Sequence, residues 1–441
     1  MKNIDEIKIL SHNITNIITE NIFSTQGFHM QIKKTTVLYF LLTLSYFFSY
    51  FFRISTSVVL PIIQAEWEIS AAIIGFISSM YFYTYAIFQP FCGILNDQYG
   101  PIRIVTIGII ITMIGSLCFG FGNNVLLLIV GRLLMGIGLS PMLSGLLVYQ
   151  SQSFPAEKYT FFSGFSMTIG NFGAVVSVAP LSFALAKWGK EYVFLALSIT
   201  MLVITILLFF LGKNSSIGQN FGNKTFKTML KSRSETAFYV IKKSNSLKII
   251  IIDWLIIFGG LMAFQGLWAI SWFRAVYPNN KNSIALAASM IGFGIMAGNF
   301  FGGNIGKTAA KRHIILKIIT FLNFLMWLGM LWCFYVTMSL YITMSVSFIL
   351  GIINGIAFVQ FTAAVNEISP IGSGGSVFGI TNFCTFTSVI FFQWCTGIGI
   401  SRLSIRMPLP ETYIRIFFII TVCMIIPAFI TSQIKSVSRV D

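Results

Sequence analysis

Arg53 lies deep inside a long apolar segment, where a charged side chain is rare. A charge at the centre of a membrane helix costs about 2.5–3.5 kcal/mol on insertion scales, so such a side chain must face a bundle interior or a water-filled cavity. The guanidinium group is planar and donates in a fork that matches a carboxylate or a phosphate. We therefore predict that Arg53 binds an anionic group of a solute. The alternative is an arginine that pairs with a helix carbonyl or an acidic side chain for packing alone.

A set of amide and aromatic side chains in other apolar segments predicts the rest of a polar cavity. An unpaired amide in hydrocarbon is costly, so Asn171, Gln265 and Asn382 are expected to face polar surroundings. Tyr81 and Tyr85 share one helix face, since they are four residues apart. For each aromatic residue, simple packing is the alternative. The complete predicted substrate-binding set is Arg53, Tyr81, Tyr85, Asn171, Gln265, Trp268, Asn382 and Gln393.

The composition places these residues in a membrane protein. Hydrophobic residues make up 56% of the chain and charged residues only 10%, whereas soluble domains have about 25% charged residues. The formal charge of +16 is therefore attributed to membrane topology, and no nucleic-acid partner is expected. The six cysteines lie in apolar segments without a CxxC motif, which is typical of small buried hydrophobes. The three histidines lie outside the centres of these segments, which argues against a zinc enzyme or a haem bundle. We expect no cofactor, no metal and no enzymatic activity.

Twelve segments are long enough to cross about 30 Å of hydrocarbon as helices. The predicted spans 1 to 12 cover residues 35–63, 71–95, 104–122, 125–150, 160–185, 191–212, 249–273, 284–306, 314–336, 339–364, 375–400 and 412–434. The basic stretch 213–248 separates six spans from six. We predict an all-α membrane protein with a tail (1–34), two six-helix halves (35–212 and 249–434), a basic linker (213–248) and a C-terminal tail (435–441).

The two halves also resemble each other in sequence. Asn171 in span 5 and Asn382 in span 11 lie in similar stretches at a constant offset of 211 residues (382 − 171). Gly136 in span 4 and Gly355 in span 10 lie at an offset of 219 (355 − 136). A weak parallel repeat with a substrate site between the halves is typical of one large class of transporters.

The loop between spans 2 and 3 has a characteristic spacing: Gly93, Asp97, Gly100 and Arg103. Gly93 allows close helix contact, Asp97 suits a helix N-terminus and Gly100 permits a tight reversal. This loop resembles the one that joins the second and third helices of the major facilitator superfamily of transporters. Arg132, followed by spaced glycines, resembles the fourth-helix motif of that superfamily, where the arginine has a coupling or a structural role; both roles remain open here.

A closer resemblance links Arg53, with Pro61 eight residues later, to the organophosphate:phosphate exchangers of that superfamily. Those proteins bind phosphate between an arginine on helix 1 and a second arginine on helix 7. Arg53 matches the first arginine. The second has no counterpart, because span 7 has Gln265 in that region and its Arg274 lies at the far end. A single guanidinium suits a monoanion or a zwitterion better than a dianionic phosphate ester.

The resemblance implies a carrier that works by alternating access of two halves. Asp253 and Glu367 are expected near the ends of spans 7 and 10, as rim or gate residues. The scarcity of carboxylates in the bundle favours facilitated diffusion or exchange over proton symport. The predicted gating and coupling residues are Gly93, Asp97, Gly100, Arg103, Arg132 and Glu367.

The distribution of Lys and Arg predicts the orientation, since cytoplasmic loops collect basic residues. The tails and the linker carry more of them than the opposite side, so both termini are expected in the cytoplasm. No cleavable signal sequence is evident, and a monomer in a bacterial inner membrane is expected. Translation could begin at Met1 or Met30. The alternative function is a transporter-like solute sensor that signals to a membrane partner through the basic linker.

Overall fold

The computed structural model describes residues 34–154, 156–213, 226–302, 305, 309–370, 374–434 and 436–437. Within these ranges the chain is almost entirely helical. Most of the predicted N-terminal tail, part of the linker and most of the C-terminal tail lie outside them. So do residue 155 and the stretches 303–304, 306–308 and 371–373.

The helices of the first half follow the predicted spans. We label the membrane helices α1 to α12 in the order of those spans. They are α1 Lys34–Trp67, α2 Ala71–Tyr99, α3 Pro101–Gly120, α4 Val125–Ser153, α5 Ala156–Val176 with its continuation at 179–188, and α6 at 190–212. The break between α5 and α6 is at Gly189, whose φ of 79° suits glycine.

The second half follows a helix that the sequence did not predict. This linker helix covers Phe226–Lys243 within the basic linker. The six membrane helices after it are α7 Asn245–Val276, α8 Ile284–Gly302, α9 Ala309–Tyr335, α10 Leu340–Ile368, α11 Gly374–Leu403 and α12 Leu409–Gln433. Among the described residues, eleven helices are long and apolar enough to span a membrane, and Gly164–Val176 is a shorter apolar helix in the remaining span. The predicted fold of twelve membrane helices is confirmed.

The bundle has two faces, which we name by their contents. The linker face contains the start of α1, the linker helix and the end of α12. On this face the Thr35 carbonyl accepts a hydrogen bond from the Tyr149 hydroxyl at the end of α4, and the Ser246 hydroxyl donates one to the Ser436 carbonyl. The distal face is the opposite one, where Lys190 donates to Gly122.

Glycines allow helices of each half to pack with their backbones in close contact. A Cβ built on Gly136 of α4 would overlap the carbonyl oxygen of Tyr81 on α2. A Cβ built on Gly355 of α10 would overlap the carbonyl oxygen of Ile295 on α8. These two close helix contacts, which we call glycine seams, occupy repeat-related positions. The helices of each half therefore pack in the same way, as small residues permit in membrane bundles.

In the part of the chain that the structure describes, the two halves meet mainly where α2 packs on α11, α1 on α7 and α5 on α8. On the distal side, the Thr56 hydroxyl donates to the Gly266 carbonyl at 2.8 Å. Also there, the backbone N–H of Ala179 donates to the Ser289 hydroxyl at 3.3 Å. The α2–α11 seam includes Phe82 and Phe386, whose rings stack 6.0 Å apart. The described polar contacts therefore join α1 to α7 and α5 to α8 on the distal side.

Candidate substrate cavity

A cavity lies between the two halves, in the middle of the bundle. The volume in it that is open to water is about 60 Å³, so only a few water-sized groups fit without movement of the walls. The N-terminal half contributes α1, α2, α4 and α5, and the C-terminal half contributes α7, α8, α10 and α11. The polar side chains in its lining are Tyr46, Tyr50, Arg53, Tyr85, Asn171, Gln265, Asn299, Asn354, Asn382 and Thr385.

Arg53 lies in this lining with only 4% of its surface exposed. Its guanidinium carbon is 4.6 Å from the ring centre of Tyr50 and 5.1 Å from those of Tyr85 and Phe386. Its Nε has no hydrogen-bond partner in the described part of the chain, and no ion pair to Arg53 occurs there. Aromatic faces stabilise the cation but leave its donors unused. Arg53 is therefore a charge surrounded by rings, with free capacity to bind an acceptor.

The helices that supply Arg53 and Gln265 are both irregular at these residues. The α-helical pattern of α1 is interrupted at Ser55, two residues after Arg53. Helix α7 contains a π-helical turn at Phe264–Trp268, which includes Gln265. Such turns are frequent at functional sites. The carbonyl of Gly266 accepts from Thr56, so the two irregular segments are joined directly.

Several amides of the lining have their N–H groups occupied by their own helix. Asn171 donates to the Met167 carbonyl at 2.8 Å, and Asn354 donates to the Leu350 carbonyl at 2.9 Å. The side-chain oxygens of Gln265, Asn299 and Asn354 are buried without a hydrogen-bond partner among the described residues. Asn354 therefore presents only its oxygen to a ligand, whereas Gln265 and Asn299 can also donate through their N–H groups. Asn299 and Asn354 were missed in the sequence, although the cost of a buried amide applies to them as well as to Asn171.

The structure brings five of the eight predicted substrate-binding residues to the cavity and leaves three behind its wall. Arg53, Tyr85, Asn171, Gln265 and Asn382 line it. The other three have internal partners. Tyr81 packs against the guanidinium of Arg132 at 4.7 Å, Trp268 donates to Thr396 at 2.9 Å, and Gln393 donates to the Met262 carbonyl at 3.2 Å.

Arg132 is fully buried and joins three helices of the N-terminal half. Its two terminal nitrogens donate to the carbonyls of Phe52 on α1 at 2.8 Å and of Ser78 on α2 at 3.2 Å. Phe52 directly precedes Arg53. These contacts favour the structural role that the sequence left open, and they fix the segment of α1 that carries Arg53.

The glycine-rich loop between α2 and α3 contains a tight reversal. Gly100 has a φ of 87°, and its N–H donates to the Asn96 carbonyl at the end of α2. Gly93 is partly buried on α2, and Arg103 is exposed on α3. The side chain of Asp97 lies outside the described part of the structure. Arg103 and Lys213 line a surface groove on the linker face.

Glu367 belongs to an ion pair whose partner the sequence analysis did not single out. Arg312 on α9 donates to both carboxylate oxygens of Glu367 on α10, each at 2.7 Å, and also to Gln360. Gln360 in turn donates to the Gly302 carbonyl at the end of α8. The side chains of Arg312 and Glu367 are 7% and 26% exposed. This network ties α8, α9 and α10 together on the linker face, at the position expected of a gate residue.

Asp253 is buried rather than placed on the rim. It is 0% exposed and accepts from the Thr431 hydroxyl of α12. Its neighbour Trp254 faces the cavity, so the Asp253 side chain is directed towards α12. The expectation of a rim residue was wrong, because α12 covers this face of α7.

Comparison with known proteins identifies the family. The family model described as Major Facilitator Superfamily matches residues 42–393. The chain belongs to the major facilitator superfamily. The D-xylose-proton symporter has the same fold, with a TM-score of 0.74 over 91% of this chain and 97% of the symporter at 12% identity. Proteins of this superfamily are membrane transporters that move small molecules, and are not enzymes.

The curated relatives of this chain are named after different solutes. The probable sulfoacetate transporter of Cupriavidus necator is 25% identical over 42% of this chain and 43% of its own length. The sialic acid transporter of Escherichia coli is 24% identical over 64% of this chain and 68% of its own length. The probable hexose phosphate transport protein of Chlamydia trachomatis is 29% identical over 32% and 31%. The chain spans less than half the length of the first and third of these relatives.

Proposed function

We propose that this protein carries a small organic solute with one anionic group, either a monoanion or a zwitterion, and that Arg53 binds that group. The observation that carries the proposal is the position of Arg53: buried, in the cavity lining, surrounded by rings and without an ion pair in the described structure. Burying an unpaired cation is costly, and the arrangement is consistent with a site kept for an anionic ligand.

The names of three relatives support an anionic solute. Sialic acid is a monoanion at neutral pH, whereas sulfoacetate and hexose phosphate are predominantly dianions, so the three solutes share an anionic group but not one charge. The feature that they share is the charged group, which is what a guanidinium recognises. The remainder of the cavity would then set the preference among anions.

We propose alternating access as the mechanism, with the two halves rocking about the central cavity. The polar contacts Thr56–Gly266 and Ala179–Ser289 close the distal side in the state described. The opposite state requires these contacts to break. From the excess of basic residues we place the linker face in the cytoplasm of a bacterial cell, with the protein as a monomer in the inner membrane.

We also propose exchange or facilitated diffusion rather than proton symport. The described lining of the cavity holds no Asp or Glu, and Asp253 faces α12 instead. A proton-coupled mechanism would therefore need a proton-binding side chain outside this lining.

The test is a ligand screen on the purified full-length protein in detergent. A ligand that binds only the native state raises its melting temperature. The panel contains carboxylates, phosphate esters, amino acids, dipeptides and neutral sugars. We expect stabilisation by anions or zwitterions, and we expect Arg53→Gln to abolish it. The matched control is Arg274→Gln, which removes an exposed guanidinium at the distal end of α7 and should leave ligand stabilisation intact. Stabilisation by neutral sugars alone, unchanged in Arg53→Gln, would make Arg53 structural.

A further inference from the structure

The two walls of the cavity differ in the hydrogen-bonding groups that they leave unused. The wall of the N-terminal half contains Arg53, whose Nε is a donor without a partner. The wall of the C-terminal half contains Gln265, Asn299 and Asn354, whose side-chain oxygens are acceptors without a partner within the described ranges. Gln265 and Asn354 are 3% and 2% exposed. The N-terminal wall therefore offers an unused donor, and the C-terminal wall offers three unused acceptors, although the amides of Gln265 and Asn299 can also donate through their N–H groups.

The orientation of Asn354 follows from its surroundings. Its N–H group donates to the Leu350 carbonyl one turn earlier on α10, so the oxygen is directed away from the helix backbone. A buried acceptor that is left unpaired costs about 1–3 kcal/mol. Three such acceptors on α7, α8 and α10 form one wall, and leaving all of them unpaired would be a considerable cost for a purely structural arrangement.

Aromatic rings lie beside these acceptors. Trp254 contacts Phe258 and Phe358, with ring centres 5.4 and 5.7 Å apart, and all three line the cavity. Ring faces attract an ammonium group and also pack against the C–H groups of a hydroxylated chain. Of these three side chains, only Trp254 carries a hydrogen-bond donor, its indole N–H.

We propose that the solute carries hydrogen-bond donors at the end opposite to its anionic group, and that Gln265, Asn299 and Asn354 accept from them. This inference rests on the proposed function, because it assumes that Arg53 holds the anion. The donors are an ammonium group, as in a zwitterion, or hydroxyl groups, as in a hydroxy acid.

The experiment compares three probes that share the same three-carbon carboxylate and differ only in the group at the far end. Propionate has no donor at its far end, 3-hydroxypropionate has a hydroxyl group, and β-alanine has an ammonium group. Binding to the full-length protein in detergent is measured by calorimetry at fixed pH and ionic strength. We expect at least one of the two donor-bearing probes to bind tenfold or more tightly than propionate. Which of them does so distinguishes an ammonium from a hydroxyl group.

Substitutions in the wall of the C-terminal half test whether its amides cause the preference for donor-bearing probes. Asn354→Leu keeps the branching of the side chain and removes its acceptor, so the ratio of donor-bearing probe affinity to propionate affinity should fall at least threefold. The matched control is Asn323→Leu. Asn323 on α9 is a buried amide without a partner in the described structure, but it lies outside the cavity lining. Asn323→Leu should leave the ratio between the probes unchanged.

Each contrary result has a distinct meaning. If all three probes bind equally and Arg53→Gln abolishes their binding, this inference is overturned and the proposed function stands. If the preference persists in Asn354→Leu, Gln265→Leu and Asn299→Leu, the assignment to this wall is wrong. If none of the probes binds, or binding does not depend on Arg53, both proposals fail.

Discussion

The two halves of the bundle are alike where they pack and different where they face the cavity. Arg53 on α1 and Gln265 on α7 are 212 residues apart (265 − 53), close to the repeat offset of 211 that relates Asn171 to Asn382. The π-helical turn that contains Gln265 fits this difference, because it accommodates one additional residue in the helix. Gln265 thus occupies the place that corresponds to Arg53. A cation and a neutral amide thus line the same cavity, in agreement with the solute of two dissimilar ends that we propose.

The packing positions show no such divergence. Gly136 and Gly355 each admit a carbonyl oxygen of the neighbouring helix. Within the cavity, Asn171 and Asn382 also retain the repeat, whereas Arg53 and Gln265 do not. The comparison separates positions that retain the repeat from the one pair in the site at which it is broken. Three predictions test that separation, from the largest expected effect to the smallest.

The first prediction concerns the two glycine seams. Gly136→Ala and Gly355→Ala should each lower the free energy of unfolding by about 2–3 kcal/mol, because the new methyl group meets backbone that cannot move aside. Thermal unfolding in detergent measures this. Gly164→Ala and Gly379→Ala are the controls, one in each half, since an added Cβ there meets nothing within 4 Å; their effect should stay within about 0.5 kcal/mol. Equal losses in seams and controls would refute the symmetry of the scaffold.

The second prediction concerns the ion pair on the linker face. Glu367→Ala should lower the free energy of unfolding by about 2 kcal/mol, because it leaves the nearly buried Arg312 without its carboxylate. The pair Lys231–Glu235 on the linker helix is the control. Its side chains are 77% and 66% exposed, so Glu235→Ala should cost less than about 0.5 kcal/mol. A melting temperature of Glu367→Ala equal to that of Glu235→Ala would show that the network contributes nothing.

The third prediction restores the symmetry of the site. Gln265→Arg places a second guanidinium opposite the first, so binding of a dianionic phosphate ester should tighten about tenfold relative to a monocarboxylate. Calorimetry on the purified variant measures the ratio of the two dissociation constants. Gln265→Leu, which removes the amide without adding charge, should show no gain for the phosphate ester. An unchanged ratio in Gln265→Arg would mean that the two positions do not face the same ligand.

Much of the fold could be predicted because length and apolar composition determine a membrane span almost alone. The linker helix was missed because its many basic residues give it a polar composition, which hides its helical pattern. Ala237 and Val240 in this helix are nevertheless fully buried. At the site, the cost of a buried charge was enough to single out Arg53. This cost did not distinguish Tyr85, which lines the cavity, from Tyr81 one turn earlier. Tyr81 packs against Arg132 behind the cavity wall, and that contact depends on tertiary packing.

The sequence also could not pair Arg312 with Glu367. The two residues are 55 positions apart, and each alone resembles an ordinary charge near the end of a span. Asn299 and Asn354 show a different limit. They satisfy the same cost argument as Asn171, but only the three-dimensional structure shows that their oxygens share one wall with Gln265.

The seam between α2 and α11 has a mechanical consequence. A Cβ built on Gly75 would lie 2.6 Å from the Gln393 carbonyl oxygen, and one built on Gly397 would lie 2.7 Å from the Ala71 carbonyl oxygen. Backbones in such close contact resist sliding along each other but can still tilt. In the proposed cycle this seam would act as a pivot, whereas the contact between Ala179 and Ser289 must break. A covalent cross-link across the seam should then leave turnover intact, whereas one between positions 179 and 289 should arrest it.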